Sequence, residues 1–336
     1  MFLHQMLKAE YWEMPLQKAM QTFSSLMKSL CVEDQQEFLS YIALNWNPEE
    51  MKIRCLSQDD PNKRDLQRKQ LDTLEQIASD IRGRVPLTGI LPTEHIVPPT
   101  KGENSDCDDK STKHVDGFLY DNEAVDGLIE EGKLDNLYCA DCGSSNVKEY
   151  NFISHSLSVS AILHIFYNVL PSIEGKIVLD VGSRLGAVLY GAYILTSAKK
   201  IIGVEMNKEL CMLQNDIVNK YNMNDRVEIV NKRIEECPDI VRKSDIIIMN
   251  NPFEFYVTES EHMEIWKFLK ANIKSGTTLI TRPSIETTFK SLETGISINK
   301  WLTSYGSTES LEETTVFGST LLDLDEHSDI EFYRVL

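Results

Sequence analysis

Apolar residues spaced three and four apart dominate the first hundred positions, and the spacing predicts helices. One covers Tyr11 to Ser29. A second covers Glu33 to Asn45, where Phe38, Ile42 and Leu44 follow the acidic pair Glu33–Asp34. A third covers Asp65 to Arg82, with Leu66, Leu71, Leu74, Ile77 and Ile81 on one face and Gly83 as its terminator. No residue type in these helices points to chemistry, so residues 1–100 read as a helical accessory region with its apolar stripes turned to a core.

From residue 151 the pattern changes. A helix over Ser156 to Leu170 stops at Pro171. Strand-like apolar runs then alternate with helical segments. The strands are Lys176–Val181, Lys200–Glu205, Val227–Val230, Asp245–Asn250 and Thr277–Thr281. The helices between and after them are Leu185 to Ala198, Asn207 to Tyr221 and Glu259 to Ala271. Continuous apolar strands separated by helices predict an α/β fold with a parallel sheet covered on both faces. The final segment, Ser328 to Leu336, alternates and predicts an antiparallel edge strand.

Residues 101–150 read as an acidic linker. Pro86, Pro92, Pro98 and Pro99 break the helical pattern before it. Residues 101–136 then carry eleven acids against four lysines, and the low hydrophobicity of 101–110 predicts a stretch that is disordered or loops out. The linker holds a CxxC knuckle, Cys139–Ala–Asp–Cys142–Gly143, whose two thiolates suit a structural zinc ion. A structural site needs four ligands and no second CxxC exists. Cys107, His114 and His155 are the remaining candidates, and a pair of unbound reduced thiols is the alternative.

Charge narrows the possible partners. There are 34 Lys and Arg against 52 Asp and Glu, a net charge of −18. Such a chain has no global attraction to a phosphate backbone. Protein substrates with basic tails suit it better, and an RNA substrate would need delivery by a basic partner protein. Seven scattered Cys, without a signal peptide or a membrane-length apolar run, predict reduced thiols in an intracellular setting, cytoplasmic or nuclear.

The candidate chemistry begins at the turn after the first strand, because open α/β sheets bind ligands at the carboxyl ends of their strands. The turn is Asp180–Val–Gly182–Ser183–Arg184–Leu–Gly186. Gly182 permits a sharp turn, and Gly186 lets a ligand pass close to the backbone. Glu205 ends the second strand, where a carboxylate accepts both hydroxyls of a ribose. A dinucleotide site would want glycine in place of Arg184, and Asp180 would repel a pyrophosphate. A ribose-bearing cation fits better, and S-adenosylmethionine is one.

Val178–Leu–Asp–Val–Gly–Ser–Arg–Leu–Gly186, Gly203–Val–Glu205 and Met249–Asn–Asn–Pro–Phe253 together resemble the class I S-adenosylmethionine-dependent methyltransferase superfamily. The resemblance covers about residues 155–336 and is specific to the superfamily, not to one member. It implies a seven-stranded, mostly parallel Rossmann-like sheet. It also implies that Asp180, Gly182, Ser183 and Gly186 cradle the amino-acid part of the cofactor, and that Glu205 holds the ribose. The acid expected to read the adenine amino group is replaced by Arg233, leaving Ile234 to supply packing and a backbone amide.

Asn250–Asn251–Pro252–Phe253 is similar to the Asn-Pro-Pro-aromatic signature of methyltransferases acting on exocyclic or amide nitrogens. In that chemistry the Asn oxygen and a neighbouring carbonyl accept the hydrogens of the target nitrogen, and the aromatic stacks on its plane. The implied catalytic residues are Asn250, Pro252 and Phe253, with Glu254, Phe255 and Tyr256 as further pocket residues. Asn251 replaces the first proline, and an Asn-Asn pair there is also similar to the non-SET histone-lysine enzymes, so amine targets stay open. A methyl transferase acting on nitrogen of a protein or RNA is the leading expectation. A non-catalytic binding or scaffold module, and a small-molecule methyltransferase lidded by the N-terminal helices, are the alternatives.

Overall fold

Seven short runs rich in Val, Ile and Leu pair edge to edge as one sheet, which is the frame for everything else. The computed structural model describes residues 61–102, 104–141, 146–305 and 329–336, with positions 28, 30 and 35 before them. The chain divides into Met1–Cys55 and Leu56–Leu336, and the fold described is that of the second unit. The helices expected over 11–29 and 33–45 lie outside the described residues.

The unit begins with α1 (Pro61–Arg82), followed by β1 (Thr112–His114), α2 (Asn122–Glu130), β2 (Leu137–Cys139), β3 (Val147–Glu149) and β4 (Asn151–Ile153). Then come α3 (Val159–Leu163) with a π-helical turn over His164–Val169, β5 (Ile177–Val181), α4 (Ala187–Leu195), β6 (Lys200–Glu205), α5 (Lys208–Lys220) and β7 (Val227–Asn231). The remainder is α6 (Pro238–Lys243), β8 (Ile246–Asn250), α7 (Glu259–Asn272), β9 (Thr278–Arg282), α8 (Ile285–Ser291), β10 (Leu302–Ser304) and β11 (Glu331–Val335).

The large sheet has the order β10-β11-β9-β8-β5-β6-β7. The pairs β5–β6, β5–β8, β6–β7 and β8–β9 are parallel, and β11 runs antiparallel to both β9 and β10. The fold is therefore α/β with a seven-stranded, mostly parallel sheet. The C-terminal segment is antiparallel as expected, but it is inserted between β9 and β10 and is not the edge. β10 is the edge strand on that side; at three residues it is too short to show a period-two pattern.

Alternate residues of each strand face opposite layers. On one face Val178, Ile201 and Ile248 pack with α1, α3, α4 and α5. On the other Leu179, Ile202 and Ile247 pack with α6, α7 and α8. α1 contributes Leu74, Ile77, Ala78 and Ile81, all fully buried in the first layer. The α/β body thus reaches back to α1, and the composition break near residue 100 falls inside it. Residues 104–110 contain turns that lie against the body: Asn104 Nδ2 donates to Glu254 Oε2 at 2.8 Å, and Cys107 is buried. Low hydrophobicity hid this because polar side-chain bonds, not apolar burial, hold the segment.

Strand order reverses at β5, so the crevice between the loops after β5 and β8 is the switch point where such sheets hold ligands.

Candidate functional site

After β5 the chain turns through Gly182 (φ 70°), Arg184 (φ 44°) and Gly186 (φ 84°) into α4. A Cβ on Gly182 would lie 2.7 Å from Pro252 Cβ, so the loops after β5 and β8 touch only because residue 182 is glycine. A Cβ on Gly186 would meet the Tyr190 ring at 2.6 Å. The room expected there for a ligand is taken by Tyr190. Ser183 Oγ donates to Gln214 Oε1 at 2.8 Å, and Gln214 Nε2 donates to Arg184 O at 2.7 Å. Gln214 is fully buried. Its sequence signal is a polar side chain on the apolar face of α5, between Leu210 and Ile217.

Glu205, at the end of β6, is buried and gripped from both sides. Its Oε2 accepts the Arg184 N–H at 3.0 Å and its Oε1 accepts the Asn207 N–H at 2.7 Å. Burial raises its pKa against the pull of those two N–H groups. Asp180, buried on β5, has a pKa raised to about 8 by burial and by the charge of Glu205.

Arg184 departs from the glycine expected at its position, and the structure shows why it is tolerated. Its Nε donates to Glu94 Oε1 at 2.8 Å, its Nη1 to Asp116 Oδ2 at 2.8 Å and its Nη2 to Gly89 O at 2.5 Å. All three side chains are buried. Ser156 Oγ adds a bond to Asp116 Oδ2 at 2.6 Å. Burial alone would lower the Arg184 pKa, but Tyr256, Asp116 and Glu94 outweigh it and hold the guanidinium charged. This clamp ties the β5 turn to Gly89 and Glu94 in the expected accessory region and to Asp116 in the expected linker.

A cavity of about 270 Å³ opens at the switch point. Gly182, Arg184, Glu205, Ile234, Asn250, Pro252 and Phe253 line it. Asp180, Ser183 and Gly186 are not in its lining and stand behind the turn. A larger cavity of about 480 Å³ adjoins it. Phe152, Ser154, Asn104, Glu254, Phe255 and Thr288 are among its walls. The two share His155, Asn250, Asn251 and Val257.

Asn251 is held at φ 43°, with its N–H donating to Arg282 O at 2.6 Å and its Nδ2 to Glu254 Oε2 at 2.6 Å. Those bonds fix the backbone that a proline would otherwise stiffen. Asn250 Nδ2 donates to His155 O at 3.3 Å. Phe253 is buried, with ring centroids 5.3 Å from His262 and 6.3 Å from Trp266. Its ring is a wall of the smaller cavity packed into the core. Tyr256 lines the same cavity, with its hydroxyl buried beside the Arg184 guanidinium. Arg233 pairs with Glu235 at 3.1 Å and Glu261 at 3.4 Å.

His155 and His114 meet here as well. Their Nε2 and Nδ1 atoms are 2.9 Å apart and their rings lie 20° from parallel. Both had been candidate metal ligands beside Cys139 and Cys142. Among the described residues, no group of three His, Cys, Asp or Glu side chains is placed to hold a metal ion. Cys139 is exposed, with its Sγ 2.8 Å from Asp141 O, while Cys142 lies outside the described residues. The structure gives the candidate zinc site no support.

The smaller cavity fits the cofactor the sequence suggests. Glu205 offers a carboxylate at the carboxyl end of β6, and each oxygen keeps a lone pair beyond its backbone bond. Ile234, Val257 and Ile265 give an apolar wall. No helix of the described residues is long and apolar enough to cross a membrane.

No family model and no curated protein matches this chain. Solved structures overlap it in part. A putative methyltransferase from Escherichia coli is 13% identical, with 54% of this chain and 87% of that chain covered and a TM-score of 0.38. A precorrin-6y C5,15-methyltransferase from Geobacter metallireducens is 17% identical, with 39% and 64% covered and a TM-score of 0.31. An RNA methyltransferase from Salinibacter ruber, in complex with S-adenosyl-L-homocysteine, is 15% identical, with 36% and 71% covered and a TM-score of 0.29. Overlaps of this size fix neither a family nor a substrate.

Proposed function

We propose that this chain is an S-adenosylmethionine-dependent methyltransferase that methylates a nitrogen on a macromolecule. One observation carries the reading. Glu205 is held by two backbone N–H groups in a cavity whose far wall is Asn250–Asn251–Pro252, and that wall is shared with a second, larger cavity. A ribose-binding carboxylate and a nitrogen-positioning amide therefore face one junction.

The residues divide the work. Glu205 accepts the ribose hydroxyls. Ile234 and its neighbours pack the adenine. The Gly182 turn holds the amino-acid end, with Asp180 supplying negative charge behind it. When bound, S-adenosylmethionine supplies an electrophilic methyl group on a sulfonium. Asn250 spends Nδ2 on His155 O, which leaves its oxygen to accept a hydrogen of the target nitrogen. Asn251, fixed by Arg282 and Glu254, keeps that edge rigid and so holds the nitrogen in line.

A protein acceptor suits the larger cavity better than bare RNA. Its cations are already neutralised: Lys101 Nζ is 2.9 Å from Glu259, and Arg282 Nε is 2.8 Å from Asp329. A phosphate backbone would find no spare positive charge on those walls.

Calorimetric titration with S-adenosylmethionine and S-adenosylhomocysteine tests the reading, with Glu205→Ala beside the wild type. Micromolar binding is expected, with loss of about 100-fold or more in the variant. Folded wild-type protein that binds neither ligand would sink the enzyme reading and leave a scaffold.

A further inference from the structure

We infer that His155 and His114 form a two-imidazole proton path that removes the proton displaced from the acceptor nitrogen. The inference rests on the methyltransferase reading and names the part of that site which clears the product proton.

Placement carries the argument. His155 follows β4 and lines both cavities where they join. Its backbone oxygen receives the Asn250 amide, so the imidazole and the nitrogen-positioning residue belong to one local structure. Phe255 and Tyr256 pack edge-on against the ring at centroid distances of 5.3 and 5.6 Å, which fixes its plane. Nε2 of His155 meets Nδ1 of His114 at 2.9 Å. Nδ1 of His155 takes no hydrogen bond among the described residues. His114 lines neither cavity and is only half-buried, so the pair leads from the junction outward.

The protons and electrons balance without another reactant. The acceptor nitrogen's lone pair forms the new N–C bond as the S–C bond breaks, and that bonding pair stays on sulfur. The nitrogen, now cationic, loses its proton to Nδ1 of His155. The Nε2 proton of His155 passes to Nδ1 of His114, His114 releases its own Nε2 proton to solvent, and once product has left, the reverse hops from solvent at His114 to the emptied cavity at His155 Nδ1 restore both starting tautomers.

The surroundings keep the pair neutral between turnovers. Burial, the Arg184 charge and His114 all hold His155 well below the usual histidine range. Burial and Arg184 lower His114, while Asp109 opposes them. Tyr256 faces His155, and Glu94 and Asp116 neutralise Arg184 from the other side. A base this weak suits an amide or aromatic amine, whose proton becomes acidic only once the methyl has arrived. It does not suit an alkylammonium, which must lose its proton first.

The test uses full-length wild type, His155→Ala and His114→Asn. Transfer of tritiated methyl groups from S-adenosylmethionine is measured into total protein of cells lacking this chain. His155→Ala is expected to lower transfer about 100-fold, with unchanged affinity for S-adenosylhomocysteine and recovery on adding imidazole. His114→Asn is expected to cost about tenfold. Unchanged transfer in His155→Ala overturns the inference. So does a loss that imidazole does not rescue, or one that tracks lost cofactor affinity, since either is structural. Wild type that binds no cofactor fails the underlying reading instead. If no acceptor in the pool is labelled, histidine NMR decides: His114→Asn must shift the His155 imidazole titration, and independent titration overturns the path.

Discussion

The two cavities share a border but are made of different material. The smaller one is built mainly by strand ends: Val181 closing β5 with Gly182 just past it, Glu205 closing β6, Asn250 closing β8. Each is a few residues from a buried apolar strand, so its position is fixed by the sheet. The larger one is built mostly by connections, including residues 97–102 and 104, residues 154–156 and the segment after β9. What separates them is the source of rigidity. Ladder bonds and core packing hold the first. Side-chain hydrogen bonds and ion pairs hold the second, among them Asn104–Glu254, Lys101–Glu259 and Arg282–Asp329. A sheet that holds one cofactor can therefore serve different acceptors by changing only the connections.

Arg184 is where the two kinds of construction are joined, and breaking it should have the largest effect. Substituting the glycine that a dinucleotide-type turn would carry there, Arg184→Gly, relieves a left-handed residue worth about 1 kcal/mol. It also strands Glu94 and Asp116 as buried, uncompensated carboxylates, at a cost of about 3–5 kcal/mol. The second term wins. Denaturant unfolding should show a net loss of about 2–4 kcal/mol. Adding Glu94→Gln and Asp116→Asn should recover much of it. A variant as stable as wild type would show that the segment carrying Glu94 and Asp116 is not anchored through this turn.

That junction also marks how far the sequence could be read. The smaller cavity was legible because its residues are contiguous with strong patterns: Gly182 and Gly186 after an apolar strand, Glu205 closing the next, Asn250–Asn251–Pro252 closing the fourth. Even there Gly186 serves Tyr190, a contact one turn along α4 that no motif announces. The larger cavity was not legible. Asn104 lies 150 residues from Glu254 and Lys101 lies 158 from Glu259, and polar residues in a charge-rich stretch look like solvated linker. His114 and His155 drew notice only as metal ligands. Their pairing depends on β1 and β4 lying parallel, a three-residue register with no apolar signature.

Acid should act on the larger cavity before the sheet itself. His262 on α7 lines that cavity, and burial lowers its pKa to about 4. The unfolded chain takes up the proton near 6.5. The folded chain refuses it until about 4. Stability is therefore full above 6.5 and falls as pH drops from 6.5 toward 4, by roughly 3 kcal/mol at most from this residue. His114 and His155 push in the same direction, so the measurement is a difference. Unfolding free energy against pH should slope less in His262→Gln than in wild type over that window. Equal slopes would place the acid sensitivity elsewhere.

The smallest effect sharpens the other side. Asp180 holds a proton in the folded chain up to about 8, whereas an exposed carboxyl loses it near 3.8. At pH 7 it is therefore mostly neutral behind the Gly182 turn. A cofactor that brings an ammonium group to that turn favours the carboxylate, lowers its pKa and expels the proton. Binding of S-adenosylhomocysteine at pH 7 should release close to one proton, read as a binding enthalpy that changes with the ionisation heat of the buffer. Asp180→Asn should abolish the buffer dependence while leaving Glu205 to hold the ribose. Buffer-independent enthalpy in the wild type would mean that the cationic end of the ligand does not reach the β5 turn. The smaller cavity would then be reading a nucleoside alone.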